Sequence, residues 1–288
     1  MNQFTEDFIQ FAEEKRADLV GIAPIERFEG VPADHHPCSI FPETRSVIVV
    51  GKRITRGTLR GVEEGTQFDI YSQYGQSWLR DRMLAMTTIT LATWIEDHRW
   101  EAVPIQDLPP QVPPSGVAVK PDLPAPNVMI DVQDAAVRAG LGEIGYSGEL
   151  LTPQFGPRQR FQMILTDAVM VPSPLCEIPV CNQCKQCALT CPLGAISMDK
   201  STLVEICGKV MTVAEVDYDL CRACQNGALP NPSHPAGLPD RLGALCNRSC
   251  VHNLEQSERI ENRFDVAFRQ RPIWQKDIVG RAIVQEVG

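Results

Sequence analysis

Four cysteines in the second half of the chain have a spacing that could bind a metal cluster. Cys181, Cys184, Cys187 and Cys191, followed by Pro192, read C-x2-C-x2-C-x3-C-P. A short loop of this kind can direct three thiolates at one [4Fe–4S] cube, while the fourth cysteine, beside the proline, points toward a second cube. The run therefore predicts electron transfer, and it requires partner ligands elsewhere.

Four cysteines downstream could supply those partners. In proteins with two clusters, the fourth cysteine of each run serves the other cluster. Residues 225–245 stretch the second run and Val251 replaces the usual proline, so a single cluster or a structural metal remains the alternative for this half. The predicted ligands are Cys181, Cys184, Cys187 and Cys250 for the first cluster, and Cys221, Cys224, Cys246 and Cys191 for the second.

Other uses of cysteine fit this pattern less well. Zinc accepts pairs of C-x2-C, but the longer run is a poor zinc motif. A disulfide framework is disfavoured because the chain is long, has no secretory signal and contains 11 cysteines, an odd number. Cys38, Cys176 and Cys207 lie outside both runs, and we expect each to pack as a small apolar side chain.

The composition narrows the classes of partner. The 288 residues carry a net charge of −9, which disfavours nucleic acid because binding to phosphates requires a basic surface. A hydrophobic content of 43% allows a sizeable core, and no apolar run has the length of a membrane span. The N-terminus has neither a basic leader nor twin arginines, so we expect a cytoplasmic protein with no membrane partner.

Hydrophobic periodicity predicts the elements that position the cysteines. Eight prolines within residues 104–126 predict an extended loop, and the tail at 252–288 is expected to be helical in part. The predicted helices are 3–16, most of 68–98 and 131–139, and the predicted strands are 18–23, 46–51, 150–152 and 160–166.

A glycine-rich segment, residues 140–148, follows the last predicted helix. Its glycines at 140, 142 and 145 match G-x-G-x-x-G. A dinucleotide-binding fingerprint should follow a strand and open a helix, so this match does not predict a nucleotide site. Glycine allows both tight turns and a close approach of the backbone to a bulky ligand.

This segment carries a family resemblance. Residues 139–156 (AGLGEIGYSGELLTPQFG), continued to Thr166 and Asp167, look like the corrinoid-binding segment of reductive dehalogenases and are similar to epoxyqueuosine reductases. Residues 18–23 and 41–50 resemble the opening of both families, and the resemblance covers most of residues 10–255. It implies an α+β fold: a nitroreductase-like corrinoid-binding α/β domain (1–172), a ferredoxin-like domain with two [4Fe–4S] clusters (173–255) and a C-terminal helical tail (256–288).

The resemblance also implies a base-off cobalamin that receives electrons from the two clusters. The D-x-H-x-x-G pattern that supplies a histidine to cobalt in other cobalamin proteins is absent, which agrees with base-off binding. The alternative is that the glycines only form turns. By resemblance, the residues expected to contact the corrinoid are Gly140, Leu141, Gly142, Gly145, Ser147 and Gly156.

A proton donor cannot be carried over from the epoxyqueuosine reductases. Their aspartate would fall near Pro126, where this sequence has none. Tyr146 stands where both families usually have a basic residue. Since reductive cleavage needs a proton and dehalogenases use a tyrosine, Tyr146 is the first candidate for the catalytic acid, followed by Tyr71 and Tyr74. At each position a packed, non-catalytic tyrosine is the alternative.

Three functions remain open. The first is a cytoplasmic reductase of a small organic substrate, with reduced ferredoxin, flavodoxin or a reductase as electron donor. A tRNA substrate is disfavoured by the charge and by the short sequence after Cys250, and respiratory dehalogenation by the missing export signal. The second is an electron-transfer or corrinoid-handling protein without its own substrate. The third is a cluster protein that has lost the corrinoid.

Overall fold

The computed structural model describes residues 3–284, and this part of the chain forms two compact units that are interleaved in sequence. The first contains the residues up to Arg53, then Leu79–Leu141 and Arg160–Cys176. The second contains Ile54–Trp78, Gly142–Gln159 and the residues from Glu177 onward. The contiguous domains predicted from the sequence do not describe this interleaving, and their boundaries stay a prediction.

The helices are mostly short. None within residues 3–284 has the length and hydropathy needed to cross a membrane. They are α1 (Gln3–Glu14), α2 (Arg60–Glu63), α3 (Ala85–Asp97), α4 (Val132–Arg138), α5 (Gln186–Leu189), α6 (Tyr218–Arg222) and α7 (Leu245–Gln256), with 3-10 turns at Ile25–Phe28, Ala33–His35, Pro37–Ser39 and Arg56–Leu59 and wider π-helical turns at Tyr71–Ser77 and Leu79–Leu84.

The strands form one four-stranded sheet and three two-stranded sheets. They are β1 (Leu19–Pro24), β2 (Ser46–Arg53), β3 (Ala102–Ile105), β4 (Glu143–Ile144), β5 (Leu150–Leu151), β6 (Gln159–Thr166), β7 (Ile196–Ile206), β8 (Lys209–Val216), β9 (Trp274–Lys276) and β10 (Ala282–Val284).

The sheet of the first unit has the strand order β1-β2-β6-β3. β1 pairs antiparallel with β2, and β3 pairs antiparallel with β6. The two central strands are almost entirely buried, which agrees with the run of four β-branched residues at positions 47–50 of β2. Ile22, Ile48 and Ile164 contribute one residue from each of three strands to the core.

Helix α1 packs on this core through one apolar face. Phe8 and Ala12 are fully buried and lie one turn apart. Phe4, Phe8 and Phe11 surround Trp94 of α3, with ring centroids 5.2 to 5.7 Å from it. The helical periodicity of residues 3–16 therefore reflects aromatic packing.

The second unit carries a long hairpin that the sequence analysis did not predict. β7 and β8 pair antiparallel, and Cys207 and Gly208 join them, both at positive φ. A two-residue turn of this hand matches the twist of a hairpin. Cys207 is half-buried in that turn, and Cys38 and Cys176 are also only half-buried, so none of the three is packed as fully as expected.

The C-terminal tail is not helical in the residues that the structure describes beyond Gln256. It forms instead the antiparallel pair of β9 and β10. Trp274 fixes this segment, because its indole N–H donates to the carbonyl oxygens of Val62 (3.1 Å) and Glu63 (2.8 Å). The tail is thus held by long-range contacts that its own periodicity does not show.

Candidate metal centres

Two cavities in the second unit are lined by cysteines. The first contains about 330 Å³ of empty space, and its lining includes Cys181, Cys184, Cys187 and Cys250. The second contains about 350 Å³, and its lining includes Cys191, Cys221, Cys224 and Cys246. The structure thus gathers the eight cysteines into the two groups predicted as ligand sets; their role as ligands stays a prediction.

The backbone between Cys181 and Cys187 winds tightly. Gln183 and Lys185 both have positive φ, 54° and 56°. Such values are uncommon for residues other than glycine and tend to occur where function fixes the backbone. Cys187 then lies in the first turn of α5, and Cys250 approaches the same cavity from α7. The winding brings three cysteines of one short loop to one cavity.

Hydrogen-bond donors surround the sulfur atoms. In the first group, Cys181 Sγ accepts from the backbone N–H of Tyr146 (3.4 Å). In the second group, Cys191 Sγ accepts from the backbone N–H of Ala195 (3.3 Å), and Cys224 Sγ accepts from Nδ2 of Asn226 (3.7 Å). Hydrogen bonds of this kind stabilise thiolates and raise the reduction potential of a cluster bound to them.

The glycine-rich segment positions the first cysteine. Cys181 donates its backbone N–H to Oε1 of Glu143 (2.7 Å), and Glu143 Oε2 pairs with Lys209 at 2.9 Å. Glu143 belongs to the short pair of β4 and β5, which the glycines allow to turn. The sequence analysis missed this contact, because nothing in the spacing links residue 143 to residue 181.

Burial raises the pKa of five of the grouped thiols, Cys181, Cys187, Cys221, Cys246 and Cys250. Burial, together with Cys181 and Cys184, raises the pKa of Cys187 to about 12. The pKa values of Cys246 and Cys250 are raised as well, first by burial and then by neighbouring cysteines. A cation bound among these sulfurs would be needed to hold them as thiolates.

The donor sets match the ligand number of a [4Fe–4S] cluster. Each cavity is lined by four cysteines, and such a cluster takes four thiolates, each on a different iron. Among residues 3–284, no three His, Cys, Asp or Glu side chains have the arrangement expected around one metal ion.

The loop of the second group is held by Asn226, which is fully buried. Its Nδ2 donates to the carbonyl oxygen of Lys276 (2.9 Å), and its Oδ1 accepts from the backbone N–H of Lys276 (2.6 Å). Asn226 thus joins the segment that carries Cys224 to strand β9.

The three candidate tyrosines have different surroundings. Tyr146 is buried, lines the first cavity and donates its hydroxyl to the carbonyl oxygens of Ser197 (3.0 Å) and Met198 (3.2 Å). The hydroxyl of Tyr71, also buried, donates to Oδ1 of Asp240 (2.9 Å). Tyr74 is exposed. These contacts account for Tyr146 and Tyr71 as packed residues, and the catalytic role of all three stays a prediction.

The six residues expected at the corrinoid are divided between the two units, Gly140 and Leu141 in the first and the others in the second. A Cβ atom at Gly140 would lie 2.0 Å from the carbonyl oxygen of Pro174, and one at Gly142 would lie 2.0 Å from that of Leu151.

The remaining residues of this set are also enclosed by the chain. Cβ atoms at Gly145 and Gly156 would meet Leu151 and Leu254 at 2.6 and 2.9 Å, and Ser147 is buried with its carbonyl oxygen bound to Arg241. Close packing within the chain therefore accounts for these four glycines. The role of all six residues toward the corrinoid stays a prediction.

Comparison with known proteins places these features in context. No protein-family model matches the chain. The tetrachloroethene reductive dehalogenase of Desulfitobacterium hafniense is 44% identical over 72 residues, 24% of this chain and 13% of that protein. A solved reductive dehalogenase, whose structure suggests a mechanism for B12-dependent dehalogenation, aligns over 75% of this chain with a TM-score of 0.51 and 21% identity. The predicted resemblance to this superfamily is confirmed.

The superfamily likeness concerns the fold and one short region of sequence. The mixed helix-and-sheet fold resembles that of the reductive dehalogenases. A solved epoxyqueuosine reductase in complex with a tRNA stem loop is also similar over 67% of this chain and 52% of its own, with a TM-score of 0.44 and 16% identity. The chain spans only 28% of the solved reductive dehalogenase, so the comparison does not extend to the activity, cofactor or substrate of that protein.

Proposed function

We propose that this chain is an iron–sulfur reductase of the reductive dehalogenase type, in which two [4Fe–4S] clusters pass electrons to a base-off cobalamin that reduces a small organic substrate. The observation that carries the proposal is the division of eight cysteines into two cavities with four in each. A nitroreductase-like corrinoid domain and a ferredoxin-like cluster domain are part of the same proposal.

In this proposal, one cluster is bound in each cavity by the four cysteines that line it. Bound clusters supply one-electron chemistry, and a bound cobalamin supplies a strongly reducing cobalt centre. The chain supplies the thiolates and the N–H donors of Tyr146 and Ala195 to sulfur. A reduced ferredoxin, a flavodoxin or a reductase would deliver the electrons.

A second candidate is an electron-transfer or corrinoid-handling protein without its own substrate. Two observations favour it: the hydroxyls of Tyr146 and Tyr71 are engaged by acceptors of the chain itself, and the glycines of residues 140–156 are closely packed. A protein of this kind would bind both clusters but would need no catalytic acid.

The test is anaerobic reconstitution with iron, sulfide and cobalamin, followed by desalting, metal analysis and optical and EPR spectra. We expect about eight irons per chain, together with stoichiometric base-off cobalt. Iron without cobalt would contradict the corrinoid part and leave an electron-transfer protein. Iron well below four per chain would contradict the cluster assignment itself. The Cys38→Ser variant, altered outside both groups, is the matched control and should bind as much iron.

Substrate assays would follow with the reduced, loaded protein. Release of halide from chlorinated or brominated organic compounds would support the small-substrate proposal. Turnover of an epoxyqueuosine-containing tRNA stem loop would contradict it, and the absence of turnover with both would favour the second candidate.

A further inference from the structure

Arg241 places a buried positive charge at the second cysteine cavity. Its side chain lines that cavity together with Cys191, Cys221, Cys224 and Cys246, and it is only 4% exposed. A cation so far from water is costly unless other groups compensate it, so its position needs a reason.

The ion pair and hydrogen bond of Arg241 use only part of its donor capacity. Nη2 pairs with Oε1 of Glu149 at 2.8 Å and donates to the carbonyl oxygen of Ser147 at 2.9 Å. The guanidinium also lies 5.2 Å from the ring centre of Tyr218. Nη1 is buried, and no atom of the described residues accepts a hydrogen bond from it. Nη1 of this guanidinium, at the lining of the cavity, is thus left to donate to another acceptor.

The guanidinium lies within electrostatic reach of the cysteines of this group. It interacts with Cys221 and Cys246, which line the same cavity. A buried positive charge favours negative charge on neighbouring groups, so Arg241 favours negative charge on these sulfur atoms.

The first cavity has no matching buried cation in its lining. Lys185 is the basic residue that lines it, and this side chain is partly exposed, with Nζ donating to the carbonyl oxygen of Met198 (2.7 Å). Water screens an exposed charge far more than a buried one. The two cavities therefore differ in electrostatic potential, because the positive charge at the second is buried and the one at the first is partly screened by water.

We propose that Arg241 sets the reduction potential of the second cluster, and this inference rests on the proposed binding of a [4Fe–4S] cluster by that cavity. One electron passes from the reduced donor to the oxidised cluster, no bond forms or breaks, and the cluster becomes more negative by one charge. Arg241 stabilises that added charge through its own buried positive charge, and it thereby raises the potential. Glu149 offsets part of this effect.

The test is an EPR-monitored redox titration of the reconstituted protein and its variants. In Arg241→Gln we expect the second cluster to shift to lower potential, so that its reduced-to-oxidised ratio at a fixed potential falls about tenfold, ~59 mV for one electron. The first cluster should not shift. Its signal is assigned with Cys184→Ala, which removes a ligand of the first cavity only.

Three further variants fix the sign of the effect and control for misfolding. Glu149→Gln removes the compensating carboxylate and should shift the second cluster to higher potential, opposite to Arg241→Gln. Arg241→Lys keeps the charge and should give a smaller shift than Arg241→Gln. Lys185→Gln, altered at the first cavity, should leave the second potential unchanged.

The outcomes separate this inference from the proposed function. About eight irons per chain with unchanged potentials in both Arg241→Gln and Glu149→Gln would overturn the role of Arg241 and leave the clusters in place. An iron content near zero in the unaltered protein would overturn both, because the inference depends on the second cluster.

Discussion

Cys187 and Cys191 are separated by only three residues, yet they line different cavities. Cys187 lies in helix α5, and Cys191 follows the end of that helix and shares its cavity with Cys246 of α7. A single turn of chain therefore connects the two candidate metal centres. Short covalent connections of this kind keep two redox centres close together.

Removal of one cysteine should affect one centre. In Cys184→Ala we expect the iron content to fall from about eight to about four per chain, with loss of one of two EPR signals. Cys191→Ala should remove the other signal, because its sulfur lines the second cavity. Loss of the same signal in both variants, or no loss in either, would contradict the division of the ligands.

Tyr146→Phe should lower stability without loss of iron. The phenol donates to two backbone carbonyl oxygens, and removal of such a buried donor costs about 1 kcal/mol. Anaerobic urea denaturation measures the difference, and Tyr74→Phe, altered at an exposed side chain, is the control. If Tyr146→Phe abolishes substrate reduction while stability stays unchanged, the packed interpretation is wrong and the catalytic one is supported.

Tyr71→Phe should cost more than Tyr146→Phe. Its hydroxyl donates to Asp240, which also accepts from Nε2 of Gln76 (2.9 Å), and hydrogen bonds to a charged group contribute about 1.5–3 kcal/mol. The same denaturation experiment, again with Tyr74→Phe as the separate control variant, ranks the two losses of stability. A smaller loss for Tyr71→Phe would show that Asp240 does not depend on this donor.

Glu63 should make stability depend on pH at the acid end. Burial raises its pKa, but the hydrogen bond from Arg269 and the charges of Arg248 and Arg269 outweigh burial, so the pKa lies below the ordinary value of 4.5. Its contribution is therefore present above that value and is lost as the pH falls through the lower, folded-state pKa.

The variant Glu63→Gln tests this dependence. Because a buried arginine, Arg248, and a half-buried one, Arg269, lose their carboxylate partner, we expect about 3 kcal/mol lower stability at neutral pH. The difference from the unaltered protein should shrink as the pH falls below 4.5, the ordinary pKa of the carboxyl group. Glu13→Gln, altered at an exposed position of α1, should show neither effect; an undiminished difference at acid pH would contradict the role of the Glu63 carboxylate.

Local patterns predicted much of this structure. The grouping of the cysteines could be predicted from the sequence, because the geometry of a short loop limits which of its thiolates can lie at one cluster. The helix at residues 3–16 and the strands near 18–23, 46–51 and 160–166 were accessible because their burial is regular. The proline-rich stretch predicted as a loop, 104–126, contains no helix or strand from residue 106 onward, but its first residues, Pro104 and Ile105, belong to β3.

The features that the sequence did not reveal depend on distant partners. Arg241 lies in the insert between the two downstream cysteine pairs, which the sequence indicated as a loop. Its proposed role depends on its contact with Glu149 and on its position at the second cavity. The β9–β10 pair replaced an expected helix because Trp274 and Lys276 find partners at residues 62, 63 and 226. Propensity is a weak guide where such tertiary contacts decide the local conformation.

The paired hydrogen bonds between Asn226 and Lys276 have a thermodynamic consequence. Asn226 also donates to Cys224, so docking of strand β9 and ligand binding at the second cavity share one side chain. Linkage between two such equilibria is reciprocal: docking of β9 changes the free energy of binding at the second cavity by the same amount as binding changes the free energy of docking. The fluorescence of Trp274, at the start of β9, would then report how fully the second cavity is occupied.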